Sequence, residues 1–531
     1  MRHFLLLTAA ITAGPLAAQA PQLTARDSAF HALNRLAYGA RPGEVDLVAR
    51  VGVMRWIDRQ LDPDRIDDKT IEQRERSFKI LKYDREDLAQ RFREVQRERQ
   101  RLERERAATG DSIRPDALPR PMREFRQLGG ELQQLAIVRA ALSERQLHEV
   151  MVDFWTNHFN VFLGKGADRF LVPSYIEETI RPRAMGRFED LLIATAESPA
   201  MLFYLDNVQS VAPGSSPPRP VFGRRRFGMN EMPADRRRLP TGINENYARE
   251  LLELHTLGVD GGYTQQDVIE VARIFTGWSI ARPEQGAGFT FRDWAHDHGT
   301  KHVFGLTFGD EGKTEGIRLL KFLAQQPATM HHVSAKLCAR FVADEPPDGC
   351  VDAAVVAWKK TRGDMRAVLH AIFRSPDFWA PQALRSKVKT PFEFVVSAVR
   401  AVAADPDTTP RLAQVVARLG QPLYLQSAPT GYPETESHWV NSGALLARMN
   451  AAIALAAGKL PGAVADLDSV VPQTSDRQRL VDLVSDHVLG GTMSAHTKTV
   501  ITNQLTDITD PVRARMLAVG LALGGPDFQK Q

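Results

Sequence analysis

Apolar residues recur at three- and four-residue intervals along most of the chain, and no convincing strand-type alternation interrupts them. The pattern predicts an all-α protein: a multi-helix globular fold with long irregular loops and a protruding charged helical arm. "DSAFHALNRLAYG" is the first such helix, with Asp27 as its N-cap and Phe30, Leu33 and Leu36 on one face. "PGEVDLVARVGVMRWIDRQLDP" reads as a second helical pattern ended by Pro63. Residues 84–107, "DREDLAQRFREVQRERQRLERERA", alternate charge signs at helical spacing and predict a long exposed helix. Its apolar positions, Leu88, Phe92, Val95 and Leu102, are too sparse for a heptad seam.

In "SERQLHEVMVDFWTNHFNVF", residues 143–162, Ser143 and Gln146 form a capping-box pattern. Leu147, Val150, Met151, Phe154 and His158 share one stripe, so His158 points the way core residues point. Asn157 and Asn160 add polar handles beside it. "NENYARELLELHTLG", residues 244–258, is capped by Asn244 or Asn246 and ended by Gly258. Glu245, Arg249 and Glu253 lie at i, i+4 and i+8 as a salt ladder, while His255 sits with the apolar face. Thr264 and Asp267 cap the next helix, so 244–278 reads as a helical hairpin. "WAHDHGTKHVFG" gathers His296, Asp297, His298, Lys301 and His302 in a glycine-bounded loop, either a ligand cluster or a polar surface turn. His331 begins a further helix, with Lys336 and Arg340 one turn apart.

The expected organisation is a signal peptide at 1–20, an N-terminal helical segment at 21–83 and a charged arm with linker at 84–122. A first part of the helical core follows at 123–208, an Arg-rich loop at 209–242, a second core part carrying the site at 243–387, and a C-terminal helical region at 388–531. At 531 residues, several packed subdomains are expected rather than one small core. The net charge of +4 is small for that length and gives no whole-surface nucleic-acid footprint, so no nucleic-acid partner is expected. "MRHFLLLTAAITAGPLAAQA" has a basic start, a short apolar run and small residues after it. That is the layout of a secretory signal peptide, too short for a stable transmembrane anchor, and it predicts a periplasmic or secreted protein. The two cysteines, Cys338 and Cys350, are either a short-loop disulfide or two buried thiols. The 209–242 stretch carries seven arginines against Glu231 and Asp235, and its Arg224–Arg238 portion is either a site for an anionic polymer or solvated charge. No G-x-G-x-x-G, phosphate loop or G-x-S-x-G elbow occurs, which removes the main sequence support for nucleotide-driven and serine-hydrolase chemistry.

"FWTNHF", "NENYARELLELHTLGVDGGYTQQDVIEVARIFTGW" and "HDHGTKHVFG" resemble a bacterial exported family known as domain of unknown function 1800. The resemblance continues through "KLCARFVADEPP", "KVKTPFEFVVSAVRA" and "GYPETESHWVNSGALLARMN", covering roughly residues 27–458. It implies an exported, mainly helical protein with no established activity. It also implies an association with an exported sulfatase-like protein and hence with envelope or polymer processing. Thr156 stands where many relatives carry histidine.

Two functional readings follow. In the first, His158, His255, His296, Asp297 and Glu250 converge on a divalent transition metal with an open position, for hydrolysis or redox chemistry on an envelope polymer. Its metal-free version uses Glu250 with a histidine as an acid/base pair, the catalytic set being Glu250, His255 and Asn157. In the second, the chain is a non-enzymatic envelope protein that binds a polymer or partner through the basic loop and charged arm. Inward-facing His and Glu are costly as mere packing, which favours the enzyme.

Overall fold

The computed structural model describes residues 23–109, 119–216, 242–282 and 287–531. The signal-peptide pattern at 1–20 and the Arg224–Arg238 polymer site both lie outside these residues. The described chain is mainly helical, and its strands occur only as three short antiparallel ribbons, such as Trp278–Ile280 with Phe289–Phe291. No helix among the described residues is long and apolar enough to cross a membrane.

Helix Ala25–Leu36 forms where predicted and buries Leu33 and Leu36 completely. Its cap is Thr24 rather than Asp27. The Thr24 hydroxyl accepts the Asp27 N–H, so Asp27 occupies the first turn, where its charge favours the helix N-terminus. The second pattern divides into Glu44–Val51 and Val53–Gln60, because Gly52 at φ 96° breaks the chain direction between them.

The charged arm is a helix at Arg85–Thr109, but it protrudes less than its composition suggests. Its first half packs against helix Arg120–Leu142, burying Leu88, Ala89 and Val95. Phe92 lies 5.9 Å from the Phe125 ring and 5.1 Å from the Phe170 ring, which fixes the hairpin to the body.

Helix Gln146–His158 runs through the interior with two differentiated faces. Leu147, Val150, Met151 and Phe154 are buried at the spacing expected. The capping box does not form. Gln146 instead spends its amide on the Ala140 and Ser143 carbonyls and on the Tyr38 N–H, which joins three segments. Cys338 and Cys350 are disulfide-bonded, linking helix Pro327–Phe341 to helix Asp348–Thr361.

Candidate functional site

The helix at 246–258 changes hydrogen-bonding pattern midway. Asn246–Glu250 is α-helical, and Leu251–His255 is a π-turn, a widening that leaves C-terminal carbonyls to be satisfied from elsewhere. The Leu251 carbonyl accepts the Thr256 hydroxyl, and the Leu252 carbonyl accepts the Gly258 N–H. Gly258 has φ +86°, and a Cβ there would sit 3.0 Å from His332 Nδ1, so a side chain would collide with the next partner. That partner, His332 Nε2, donates to the Leu254 carbonyl at 3.4 Å, and His158 Nε2 donates to the His255 carbonyl at 3.2 Å.

Three imidazoles therefore gather here, with His158 centred 6.3 Å from His255 and 6.4 Å from His332. Burial and the nearby Lys336 ammonium keep all three neutral, lowering His255 to about 3 and His332 to about 4, with His158 also depressed. His158 Nδ1 and His255 Nε2 are buried without a hydrogen-bond partner. His332 was not singled out in the sequence, where its neighbour His331 drew attention; His331 faces solvent.

His296 and Asp297 belong to a different knot. His296 Nδ1 donates to the Thr276 carbonyl at 2.9 Å, and its Nε2 lies 3.2 Å from Glu315 Oε1 and 3.4 Å from Lys301 Nζ. Both oxygens of Asp297 accept from Arg273, at 2.8 and 3.1 Å, and Oδ1 also accepts the Gly299 N–H. These bonds outweigh burial and hold the Asp297 carboxyl below its ordinary value. Every ligating atom of this pair is engaged within the protein, and His296, Lys301 and Glu315 are buried rather than part of a surface turn.

Glu250 is half-buried, and burial followed by the neighbouring Glu253 raises its pKa. The salt ladder is only half made: Arg249 pairs with Glu245 at 3.3 Å, while Glu253 accepts the Tyr263 hydroxyl at 3.1 Å. The five residues expected to share a metal are thus divided among three settings. Among the described residues, no group of three or more His, Cys, Asp or Glu side chains is placed to hold a metal ion.

A better-formed constellation lies on the other face of helix Gln146–His158. Glu149, Asp153, Thr156 and Asn157 project at helical spacing, with Asn160 beyond the C-terminus, and all of them line two adjoining crevices that share Asp153, Thr156 and Tyr424. The crevices hold about 40 and 30 Å³, room for ordered water. Opposite Asp153 stand Arg340, Glu393, Tyr432 and Glu434. Arg340 and Glu393 form a buried ion pair. Glu393 also accepts the Thr390 N–H at 2.8 Å and the Gln531 amide at 3.1 Å. Burial alone would raise the Glu393 carboxyl, but Arg340 and the Thr390 N–H hold it at about 2. Glu149 is likewise matched, bidentate with Arg181 at 2.8 Å for both bonds.

Asp153 has no such match. Burial pushes its carboxyl up to about 7, Arg340 pulls the other way, and Glu434 and Glu393 add to the rise. Asn157 works as a positioning residue. Its amide accepts the Tyr432 N–H at 2.6 Å, donates to the Tyr432 carbonyl at 2.8 Å and reaches Glu434 Oε1 at 3.4 Å. The loop can approach this closely because residue 431 is glycine: a Cβ there would lie 2.3 Å from the Asn157 carbonyl oxygen.

Asp153, Arg340, Glu393, Tyr424 and Glu434 were not expected from the sequence as site residues. The signal available was the second stripe of helix 146–158, Glu149-Asp153-Thr156-Asn157, which is polar where a buried helix should be apolar.

Fold and site together define a helical protein built around a narrow, charged interior crevice. The chain belongs to the family described as protein of unknown function DUF1800, whose family model matches residues 31–530. No curated protein and no solved structure matches it significantly.

Proposed function

We propose that this protein is an exported enzyme that cleaves linkages of an envelope or extracellular polymer by acid/base chemistry that uses Asp153 and Glu434. The observation that carries this reading is an unmatched Asp153 carboxyl facing a crevice in which Arg340 is paired with Glu393 and Arg181 with Glu149. A carboxyl near neutrality both gives and takes a proton efficiently at working pH. In the proposed reaction Asp153 protonates the leaving oxygen. Glu434, steadied by Asn157, activates a water. Arg340, fixed by Glu393, offers positive charge to developing negative charge. Export is supported by the basic-apolar-small pattern at the N-terminus and by the bond between Cys338 and Cys350, which suits an oxidising compartment.

The reading rests on protein groups alone. A shared divalent-metal centre at His158, His255, His296, Asp297 and Glu250 is not part of it, because these donors face different partners. The test is a screen of the mature protein against extracellular polysaccharides, followed by release of new chain ends. Asp153→Asn should lower turnover by at least about a hundredfold, the usual weight of a general acid/base. Turnover unchanged in that variant would remove Asp153 from the chemistry.

A further inference from the structure

The segment Leu423–Leu425 separates two spaces. Leu423 and Tyr424 line the crevice described above, and Leu425, more than a third exposed, lines an open groove on the far side. Tyr424 takes a positive φ of 60°, and its carbonyl accepts the Leu163 N–H at 2.9 Å, while the Leu423 carbonyl accepts the Gln133 amide at 2.7 Å. Leu163 and Gln133 are themselves groove residues, so the two spaces share one wall.

The groove lies between the charged arm and the body and holds about 550 Å³, within the roughly 300–1,000 Å³ usual for ligand sites. Three exposed arginines from three different elements line it: Arg99 on the arm, Arg126 on the adjoining helix and Arg169 at the start of helix Asp168–Ser174. Among the described residues no acidic side chain lines it. On the same hairpin Arg101 is paired with Glu98 at 2.8 Å and Arg120 with Glu124 at 2.6 Å. Arg99, Arg126 and Arg169 form no ion pair or hydrogen bond among the described residues. Between them runs an apolar strip that includes Phe125 and Leu425.

Unmatched guanidinium groups around an apolar strip suit a chain that alternates anionic groups with flat C–H faces. We propose that this groove binds an anionic polysaccharide, one bearing carboxylate or sulfate groups. The guanidinium forks take the anionic groups bidentately, and the apolar strip takes the sugar ring faces. This substrate class rests on the acid/base reading of Asp153, but binding is measurable without turnover.

The test is binding of fluorescent polygalacturonate and dextran sulfate to the full mature chain at about physiological salt, with neutral dextran and polyglutamate as controls. The proposal expects binding of at least one anionic polysaccharide and none of dextran. It expects binding to fall at least tenfold in the Arg99→Gln/Arg126→Gln/Arg169→Gln variant. Preference for polygalacturonate assigns carboxylate sugars, and preference for dextran sulfate assigns sulfated ones. Failure to bind either polymer, binding within twofold in the triple variant, or equal binding of polyglutamate would each overturn it. Binding that survives while Asp153→Asn still turns over substrate would leave the groove standing and sink the acid/base reading instead.

Discussion

His158 Nε2 donates to the main-chain carbonyl of His255 at 3.2 Å, so the first histidine serves as a C-terminal cap for the helix that carries the second. His332 does the same for Leu254. His158 and His332 thus close a π-turn, and the crevice lined by Asp153 lies on the other face of helix Gln146–His158.

This arrangement predicts acid sensitivity with a definite sign. The buried imidazoles titrate below the ordinary 6.5, at about 3 for His255 and about 4 for His332, so the unfolded chain takes up protons first as pH falls. The stability contributed by the neutral rings is present above about 6.5 and is lost progressively between there and about 3 to 4. Unfolding free energies of His158→Leu and His332→Leu should fall at pH 7 by about 1–3 kcal/mol, as a carbonyl loses its donor. The slope of stability between pH 6.5 and 4 should flatten in both. Slopes identical to the wild type would show that these rings are not held neutral.

Asp168 gives the opposite sign. Its carboxyl is fully buried with neither oxygen bonded, and burial pushes it up to about 9. The folded chain keeps this proton from the ordinary 3.8 up to about 9 while the unfolded chain has lost it, so stability falls as pH rises through that window. Asp168→Asn, neutral throughout, should be the more stable protein at pH 8 by about 5 kcal/mol, roughly 1.4 kcal/mol for each pH unit above 3.8, and nearly equal to the wild type at pH 4. Thermal denaturation at the two pH values measures the difference, and a loss of stability at pH 8 would contradict the assignment.

The Cys338–Cys350 bond closes a loop of sequence separation 12. A loop of this size restricts the unfolded chain by about 3 kcal/mol, and the double Cys→Ala variant should lose about that much in urea unfolding. Loss well under 1 kcal/mol would mean that native packing around Trp358 and Phe341 alone holds the two helices.

The helical character of the chain was legible because amphipathic periodicity depends only on local spacing: Leu33, Leu36, Val150 and Phe154 are buried where that spacing places them. The Thr264–Asp267 capping box was legible for the same reason. Where partners come from distant segments, spacing carries no information. Asp153 is unmatched only because Arg340 is claimed by Glu393, a residue 53 positions further along. Asn157 looked catalytic, yet its amide is committed to Tyr432, 275 positions away. The His296–Asp297 loop looked like a ligand cluster because its partners Arg273 and Glu315 lie outside the motif.

The most direct test is the ionisation of Asp153 itself, followed by pH-difference infrared spectroscopy of the carboxyl band, wild type minus Asp153→Asn. A protonated-carboxyl band should disappear with a midpoint near 7 and be absent from the variant. A midpoint near the ordinary 3.8 would mean that the crevice does not hold the proton, and would contradict Asp153 as the acid/base group.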